Sequence, residues 1–259
     1  MRGPCTTVLA AMLLATIPLR AGEIPQDQRR SGYSFMGPDS KAMQDDDTTN
    51  PGMLWVLDGE ALWKEKLGAS NKSCADCHGE ARANMKGVAA HYPAFDNALG
   101  RPIDLEQRIN LCRTQHQQAP ALDYETHDLL ALTAFLANQS RGMPIKAGGD
   151  PQLEPFLAKG RALFMQRQGQ LNLACANCHD DHWDKHLAGS AITQGQPTGY
   201  PLYRLEWQTL GSLQRRLRGC MTGIRAEAFS YGAPELVELE LYLMSRAAGM
   251  PMETPAARP

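Results

Sequence analysis

Two short motifs in the sequence contain residue types that can bind a redox cofactor. Cys74–His78 and Cys175–His179 both have the pattern C-x-x-C-H. In this pattern the two thiols can add to the vinyl groups of a porphyrin, and the adjacent histidine can bind its iron from one face. We therefore expect two covalently bound haem c groups. The predicted attachment cysteines are Cys74, Cys77, Cys175 and Cys178, and the predicted axial histidines are His78 and His179.

Each motif is followed by one distant cysteine, Cys112 in the first case and Cys220 in the second. A Cys₃His zinc set is the main alternative to haem, and a pair of C-x-x-C disulfides is another. Zinc is disfavoured because the histidine directly follows a cysteine, and adjacent side chains rarely reach the same tetrahedral ion. The pattern therefore favours haem in both places.

The second axial ligand of each iron decides whether a haem carries electrons, binds gas or does chemistry. Cys112 and Cys220 occupy matched positions, and iron ligation would explain why thiols stay unpaired in an exported protein. A disulfide between these two cysteines is an alternative, and Met143 and Met250 are rival ligands although each lies in a G-M-P turn. The full set of candidates is Met85, His91, Cys112, His116 and Met143 in the first half, and His182, His186, Cys220, Met221, Met244 and Met250 in the second.

The elements around these residues are duplicated. Three further landmarks recur in the same order: Gly59–Trp63 as Gly160–Phe164, Leu105–Cys112 as Leu213–Cys220, and Gly142–Pro144 as Gly249–Pro251. Apolar residues spaced by three and four predict helices. We expect a mainly α fold of two tandem cytochrome c-like domains related by internal duplication, with long loops. The predicted segments are an N-terminal extended arm over 22–51, a first domain over 52–146, a linker over 147–151 and a second domain over 152–259.

The chain begins with a predicted signal peptide, residues 1–21, in which Arg2 precedes an apolar stretch that ends at small residues. That stretch is shorter than the roughly 18 residues that a membrane span needs, so we expect an exported protein with no membrane span. The chain has 26 basic and 28 acidic residues and no basic block, which argues against nucleic acid as a partner. Aromatic residues are only 7% of the chain, which leaves room for a large apolar cofactor in the interior.

The surroundings of the second distant cysteine are more cationic than those of the first. Arg216 precedes Cys220 by one helical turn if the helix continues through Gly219, and both side chains would then share one face. A guanidinium in that place could lower the pKa of the thiol and bind a small oxyanion. The alternative is that Arg216, like Arg108 in the first repeat, pairs with a haem propionate. Within residues 204–225 of the second repeat there are five arginines against one acid, Glu206: Arg204, Arg215, Arg216, Arg218 and Arg225.

These motifs together resemble a known family, the dihaem SoxA subunits of the SoxAX cytochromes of bacterial sulfur oxidation. The resemblance covers essentially the chain after the signal peptide. It rests on the repeated C-x-x-C-H…R-x-x-x-C units, on Trp207–Met221, and on the arm sequences Ser31–Tyr33, Met43–Asp46 and Asn50–Gly52.

The resemblance implies a periplasmic L-cysteine S-thiosulfotransferase, which joins thiosulfate to a cysteine of the SoxYZ carrier protein. Two electrons would pass to haem and then to a soluble cytochrome c, and the partner would be the small monohaem cytochrome SoxX. By match to the family motif, Cys220 is the ligand cysteine that carries the sulfur and can be a persulfide, and Arg216 binds the substrate. His179 and Cys220 would ligate the active-site haem, and His78 and Cys112 the other.

Two other functions fit the residues. A dihaem thiosulfate dehydrogenase would couple two thiosulfates into tetrathionate without a carrier protein. A plain dihaem electron carrier would form no sulfur product, and its arginines would only dock an acidic partner.

Overall fold

The computed structural model describes residues 24–259, so the predicted signal peptide and Cys5 lie outside the described residues. The α-helices in this part of the chain are α1 (Pro38–Asp45), α2 (Gly52–Lys64), α3 (Cys74–His78), α4 (Ala81–Asn84), α5 (Leu105–Cys112), α6 (His127–Asn138), α7 (Glu154–Met165), α8 (Cys175–His179), α9 (Leu213–Gly223) and α10 (Pro234–Arg246). The strands are β1 (Ala94–Asp96), β2 (Arg101–Ile103), β3 (His186–Leu187), β4 (Ser190–Ala191), β5 (Leu202–Arg204), β6 (Thr209–Gly211) and β7 (Ala256–Arg258).

Each repeat is built on a pair of helices that cross at a glycine. Helix α2 crosses α6 at Gly59, where an added Cβ would lie 2.1 Å from the carbonyl oxygen of Ala131. Helix α7 crosses α10 at Gly160, where an added Cβ would lie 2.0 Å from the carbonyl oxygen of Glu238. The duplicated glycine therefore allows the backbones to approach closely, and the expected two-domain helical fold is confirmed.

A short antiparallel hairpin precedes α5 in the first repeat and α9 in the second. Strands β1 and β2 form the first hairpin, and β5 and β6 form the second. Asp104 caps α5 by accepting a hydrogen bond from the Gln107 amide at 2.7 Å, and Ser212 caps α9 by accepting one from the Arg215 amide at 3.1 Å. The hairpins fix the start of α5 and α9, the helices that carry the two distal cysteines, Cys112 and Cys220. At the positions of these hairpins the sequence predicted only loops.

The N-terminal arm packs against the second repeat, and part of it forms helix α1 where the sequence predicted an extended segment. Ser31 Oγ donates to Glu253 Oε1 at 2.5 Å, and the Arg30 amide donates to Gln194 Oε1 at 2.7 Å. Strand β7 pairs in parallel with β5, and helix α1 lies against β7. The arm and the C-terminal strand together brace the hairpin in front of α9.

The two G-M-P turns meet each other at the junction between the repeats. The Met252 amide donates to the Met143 carbonyl at 2.9 Å, and the Ile145 amide donates to the Met250 carbonyl at 2.9 Å. The duplicated turn therefore joins the two domains.

Three carboxyl groups are packed at the interface between the domains. Asp104 is fully buried and accepts hydrogen bonds from the Tyr124 hydroxyl at 2.6 Å and from Gln214 Nε2 at 2.8 Å. Burial raises the pKa of Asp104 to about 6 and that of Glu240 to about 8, and burial together with the neighbouring acids raises that of Glu106. The interface is therefore sensitive to proton binding.

Among the helices described from residue 24 onward, none combines the length and the apolar character needed to cross a membrane.

Candidate active site

The two C-x-x-C-H motifs form the short helices α3 and α8, at equivalent places in the two domains. Ser73 and Asp76 exchange two hydrogen bonds at the start of α3, of 3.0 Å and 2.9 Å. At the start of α8, Ala174 has no side-chain acceptor, and only the Ala174 amide donates to Asn177 Oδ1 at 3.0 Å. Each motif is thus held as about one turn of helix, which places both thiols and the histidine side by side.

The ring of His179 is oriented by the backbone of a neighbouring loop. Its Nδ1 lies 2.7 Å from the carbonyl oxygen of Thr193, so Nδ1 carries the proton and donates. Gly195 has a φ of +70°, and an added Cβ there would lie 3.1 Å from His179 Cγ. Burial lowers the pKa of His179, which favours the neutral ring. Nε2 is therefore left as a lone-pair donor, which is the arrangement that an axial haem ligand needs.

A buried ion pair lies next to this histidine. Arg246 Nη2 contacts Asp180 Oδ1 at 2.6 Å, and the two side chains are 3% and 7% exposed. The Arg246 guanidinium also lies over the ring of Phe164, 4.4 Å from its centre. The pair connects α10 to the residue after His179, so the helix crossing fixes the position of α8.

His78 in the first domain has a more open setting. It is exposed, and its ring centre lies 5.7 Å from that of Trp63. Trp63 Nε1 donates to the Gly79 carbonyl at 3.0 Å, and Asn84 Nδ2 donates to the His78 carbonyl at 2.7 Å. These bonds hold the end of α3, while the imidazole itself is not clamped as His179 is.

Cys112 and Cys220 each approach the C-x-x-C-H motif of their own domain. Burial and the neighbouring Cys112 raise the pKa of Cys74, and burial and the neighbouring Cys220 raise the pKa of Cys175 to about 11. Every cysteine within residues 24–259 is unbridged, so the alternative of a disulfide between Cys112 and Cys220 does not appear in the structure. Nor do the described residues hold a group of three or more ligand side chains close enough for a metal ion such as zinc.

The two distal cysteines differ in exposure. Cys112 is the last residue of α5 and is half-buried, and burial raises the pKa of its thiol. Cys220 is exposed on α9, which continues through Gly219 to Gly223. Arg216 and Cys220 therefore lie one turn apart on one helix face, which settles the question that Gly219 left open.

Most of the arginines near α9 have partners that turn them away from Cys220. Arg215 lies over Trp207 and 3.8 Å from Glu125. Arg218 lies over the ring of Tyr231, and Arg225 reaches Gln170 at 3.5 Å. The charges of Arg216, Arg204 and Arg258 all lower the pKa of Tyr200, and the charge of Cys220 raises it. Arg204 lies 3.2 Å from Glu206 and 5.4 Å from the ring centre of Trp207. Among the arginines of residues 204–225, Arg204 and Arg216 are therefore the two that act on the same tyrosine as Cys220.

Three of the remaining ligand candidates have other contacts in the described structure. Met221 and Met244 are packed in the core, and His182 Nδ1 lies 2.5 Å from the Asn177 carbonyl.

The contacts that Thr193 and Asp180 make with the site could not be predicted from the sequence, because neither residue belongs to a motif. Tyr200 could have been noticed, since the pair Tyr92-Pro93 recurs as Tyr200-Pro201.

The comparisons with known proteins fit this duplicated arrangement. The family described as "SoxA/TsdA, cytochrome c domain" matches residues 58–145 and again 159–252. The chain is 40% identical over 232 residues to the L-cysteine S-thiosulfotransferase subunit SoxA of Rhodovulum sulfidophilum, which covers 90% of this chain and 81% of that protein. It is 38% identical to the protein of the same name from Pseudaminobacter salicylatoxidans, over 90% of this chain and 82% of that one.

A solved structure is also similar over nearly the whole chain. The crystal structure of SoxXA from P. pantotrophus matches with a TM-score of 0.86 and 31% identity, over 89% of this chain and 87% of that chain.

Proposed function

This chain belongs to the SoxA/TsdA cytochrome c family, and from that premise we propose that it is a dihaem L-cysteine S-thiosulfotransferase subunit of the SoxA type. Its substrates would be thiosulfate and a cysteine thiol of a SoxYZ-type carrier protein. Its partner would be a SoxX-type monohaem cytochrome, a proposal that the similarity to SoxXA supports. The predicted signal peptide, residues 1–21, supports action in the periplasm.

The observation that carries the proposal is that the half-buried Arg216 lies one turn from Cys220 on the same face of α9, beside the C-x-x-C-H motif of the second domain. Thiosulfate is a small dianion, and an arginine can bind its oxygens with two parallel hydrogen bonds. An exposed sulfur one turn away can meet its sulfane sulfur. The half-buried Cys112 is less accessible to a substrate or to a carrier protein.

The residues fit a covalently bound haem in each domain. Cys74, Cys77, Cys175 and Cys178 would attach the haems, and His78 with Cys112 and His179 with Cys220 would hold the two irons. The hydrogen bond from His179 Nδ1 to Thr193 supports this fit, because it leaves Nε2 free for iron. When bound, haem supplies a one-electron acceptor, and thiolate ligation lowers its potential.

The reaction can be written in two balanced steps. In the first, the Cys220 thiolate and thiosulfate form an S–S bond, which gives Cys220–S–S–SO₃⁻ and releases two electrons. These electrons leave one at a time for ferric cytochrome c. In the second step the carrier thiolate attacks the sulfane sulfur, takes the –S–SO₃⁻ group and restores the Cys220 thiolate. The protein's part is to orient the dianion through Arg216 and to hold the sulfur of Cys220 one helical turn away from that arginine.

The test is thiosulfate conjugation to a SoxYZ-type carrier, followed by intact mass of the carrier. The haem-loaded protein with its SoxX-type partner should add one thiosulfate group per carrier cysteine and reduce two ferric cytochromes c. Cys220→Ala should abolish the adduct while the haem content, measured by absorbance, is retained. Tetrathionate without any carrier would instead indicate a dehydrogenase, and electron exchange with no sulfur product would indicate a plain electron carrier.

A further inference from the structure

The two domains carry opposite charges at one equivalent position beside the distal cysteine. Asp96 is the last residue of β1 and Arg204 is the last residue of β5, and each strand is the first of the hairpin that leads into α5 or α9. The offset between Asp96 and Arg204 equals the offset between Arg108 and Arg216. The duplication therefore places a carboxylate near Arg108 and a second guanidinium near Arg216.

In the first domain the acid neutralises the arginine. Arg108 Nη2 contacts Asp96 Oδ2 at 2.5 Å, and the Asp96 side chain is only 9% exposed. Asp96 Oδ1 also accepts a hydrogen bond from the Leu99 amide at 2.9 Å. That bond and the contact with Arg108 hold the pKa of Asp96 below its usual range, so the carboxylate is charged. Arg108 is consequently occupied by a fixed anion of the protein.

In the second domain the corresponding neutralisation is missing. No carboxylate of the described residues lies within ion-pair distance of Arg216, and the equivalent of Asp96 is a second guanidinium. Arg204 contacts Glu206 at 3.2 Å, but Glu206 is 62% exposed, and an exposed ion pair of this kind contributes little. Burial and the charge of Arg216 both lower the pKa of Arg204. The two arginines therefore repel each other in the absence of an anion.

Arg204 also has an unused hydrogen-bond donor. Its Nε is buried and has no hydrogen-bond partner within the described residues, although the side chain as a whole is 16% exposed. A buried donor without a partner costs free energy, and a charged donor costs more. An oxyanion that bridges Arg204 and Arg216 would satisfy this donor and remove the repulsion.

We propose that Arg204 is the second anion-binding residue of the site and that, with Arg216, it binds the sulfonate oxygens of thiosulfate, while Asp96 prevents such binding in the first domain. The inference rests on the proposed function for the identity of the substrate. Two guanidinium groups match the double charge and the three oxygens of the sulfonate end. The sulfane sulfur would then be free to approach Cys220, whose charge also acts on Arg204.

A haem propionate is the other anion that could meet Arg204. Both domains carry the C-x-x-C-H motif, and both are expected to bind the same haem with the same two propionates. A propionate partner would therefore favour an arginine at this position in both domains, whereas the first has Asp96. The difference between the domains fits a substrate that binds at only one of them.

The experiment compares Arg204→Gln, Arg204→Asp and Arg204→Lys in the haem-loaded protein with its SoxX-type partner. Calorimetry without the carrier measures the Kd of thiosulfate and of sulfate, a dianion that cannot be conjugated, and absorbance and redox titration monitor the haems. Arg204→Gln should raise both Kd values by about 10- to 100-fold, since a hydrogen bond to a charged group is lost. Arg204→Asp should raise them further, and Arg204→Lys should keep part of the affinity. The matched control is Arg225→Gln, which also removes one positive charge. Arg225 is exposed and contacts Gln170, so this variant should leave both Kd values unchanged.

The outcomes separate this inference from the proposed function. Unchanged Kd values for Arg204→Gln, together with a shifted haem potential, would show that Arg204 pairs with a propionate and would overturn the inference. Absence of thiosulfate binding by the unaltered protein would also overturn it. If the unaltered protein binds thiosulfate through Arg204 but forms no carrier adduct, the inference stands and the proposed function fails.

Discussion

Substitution of the crossing glycine of the second domain, Gly160→Ala, should destabilise the protein strongly. The added methyl group would lie 2.0 Å from the Glu238 carbonyl oxygen and 2.8 Å from Tyr242 Cβ. Both distances are well below van der Waals contact, and the closest atom belongs to the backbone, so α7 and α10 must separate. Overpacking of a core costs about 1–3 kcal/mol, and we expect a loss of about 3 kcal/mol at this backbone contact. Because α10 carries Arg246, the displacement should also move Asp180 and disturb the haem spectrum of the second domain.

The same chain supplies a control for the effect of the methyl group itself. Gly219 is also a helical glycine, but an added Cβ there meets no atom within 4 Å. Gly219→Ala should therefore stabilise the protein by about 0.5–1 kcal/mol, since alanine is the better helix former. Urea unfolding of the haem-loaded protein, followed by circular dichroism and by haem absorbance, measures both variants. Equal free energies of unfolding for Gly160→Ala and the unaltered protein would refute the account of the helix crossing.

Three further predictions follow from the surroundings of the site and from the domain interface. Arg246→Met should lower the free energy of unfolding by about 3–5 kcal/mol in urea titration, because the Asp180 carboxylate would stay buried without its partner; a loss below about 1 kcal/mol would contradict this. Gly195→Ala should tilt the His179 ring, because residue 195 has a positive φ and its Cβ would crowd the imidazole; an unchanged electron paramagnetic resonance spectrum of the ferric haem would disprove it. The free energy of unfolding should fall as pH rises from 4.5 to about 8, because folding raises the pKa of Glu240 to about 8 and the folded protein keeps a proton that the unfolded chain releases. Glu240→Gln should weaken this dependence, and a free energy of unfolding that does not change with pH in the unaltered protein would contradict the raised pKa.

The duplication and the haem motifs could be predicted because they depend on short-range patterns. Gly59 and Gly160 recur within matching helical segments, and each C-x-x-C-H motif needs only one turn of helix to bring its ligands together. The course of α9 was harder to predict, because Gly219 allows a helix either to end or to continue. Ser212 caps the start of α9, and the Ile224 amide donates to the Cys220 carbonyl at 3.1 Å beyond Gly219, so the helix continues. Sequence spacing does not report these bonds.

The parts of the site that depend on long-range contacts could not be predicted. Thr193 orients His179 through a backbone carbonyl, so the identity of its side chain gives no signal. The contrast between Asp96 and Arg204 is visible in the sequence only after the strand register has aligned the two hairpins. Composition showed that residues 204–225 are cationic, but only the structure shows that Arg215 is turned toward Glu125 and Trp207.

The central claim is that Cys220 carries the sulfur during turnover, and intact mass of the haem-loaded protein tests it most directly. The protein, with its SoxX-type partner, is incubated with thiosulfate and ferric cytochrome c but without a carrier, and the adduct is located by peptide mapping. The account predicts one thiosulfate group on Cys220, no adduct on Cys112, and loss of the group when a SoxYZ-type carrier is added. An unmodified Cys220 under these conditions, or an adduct that the carrier does not remove, would contradict it.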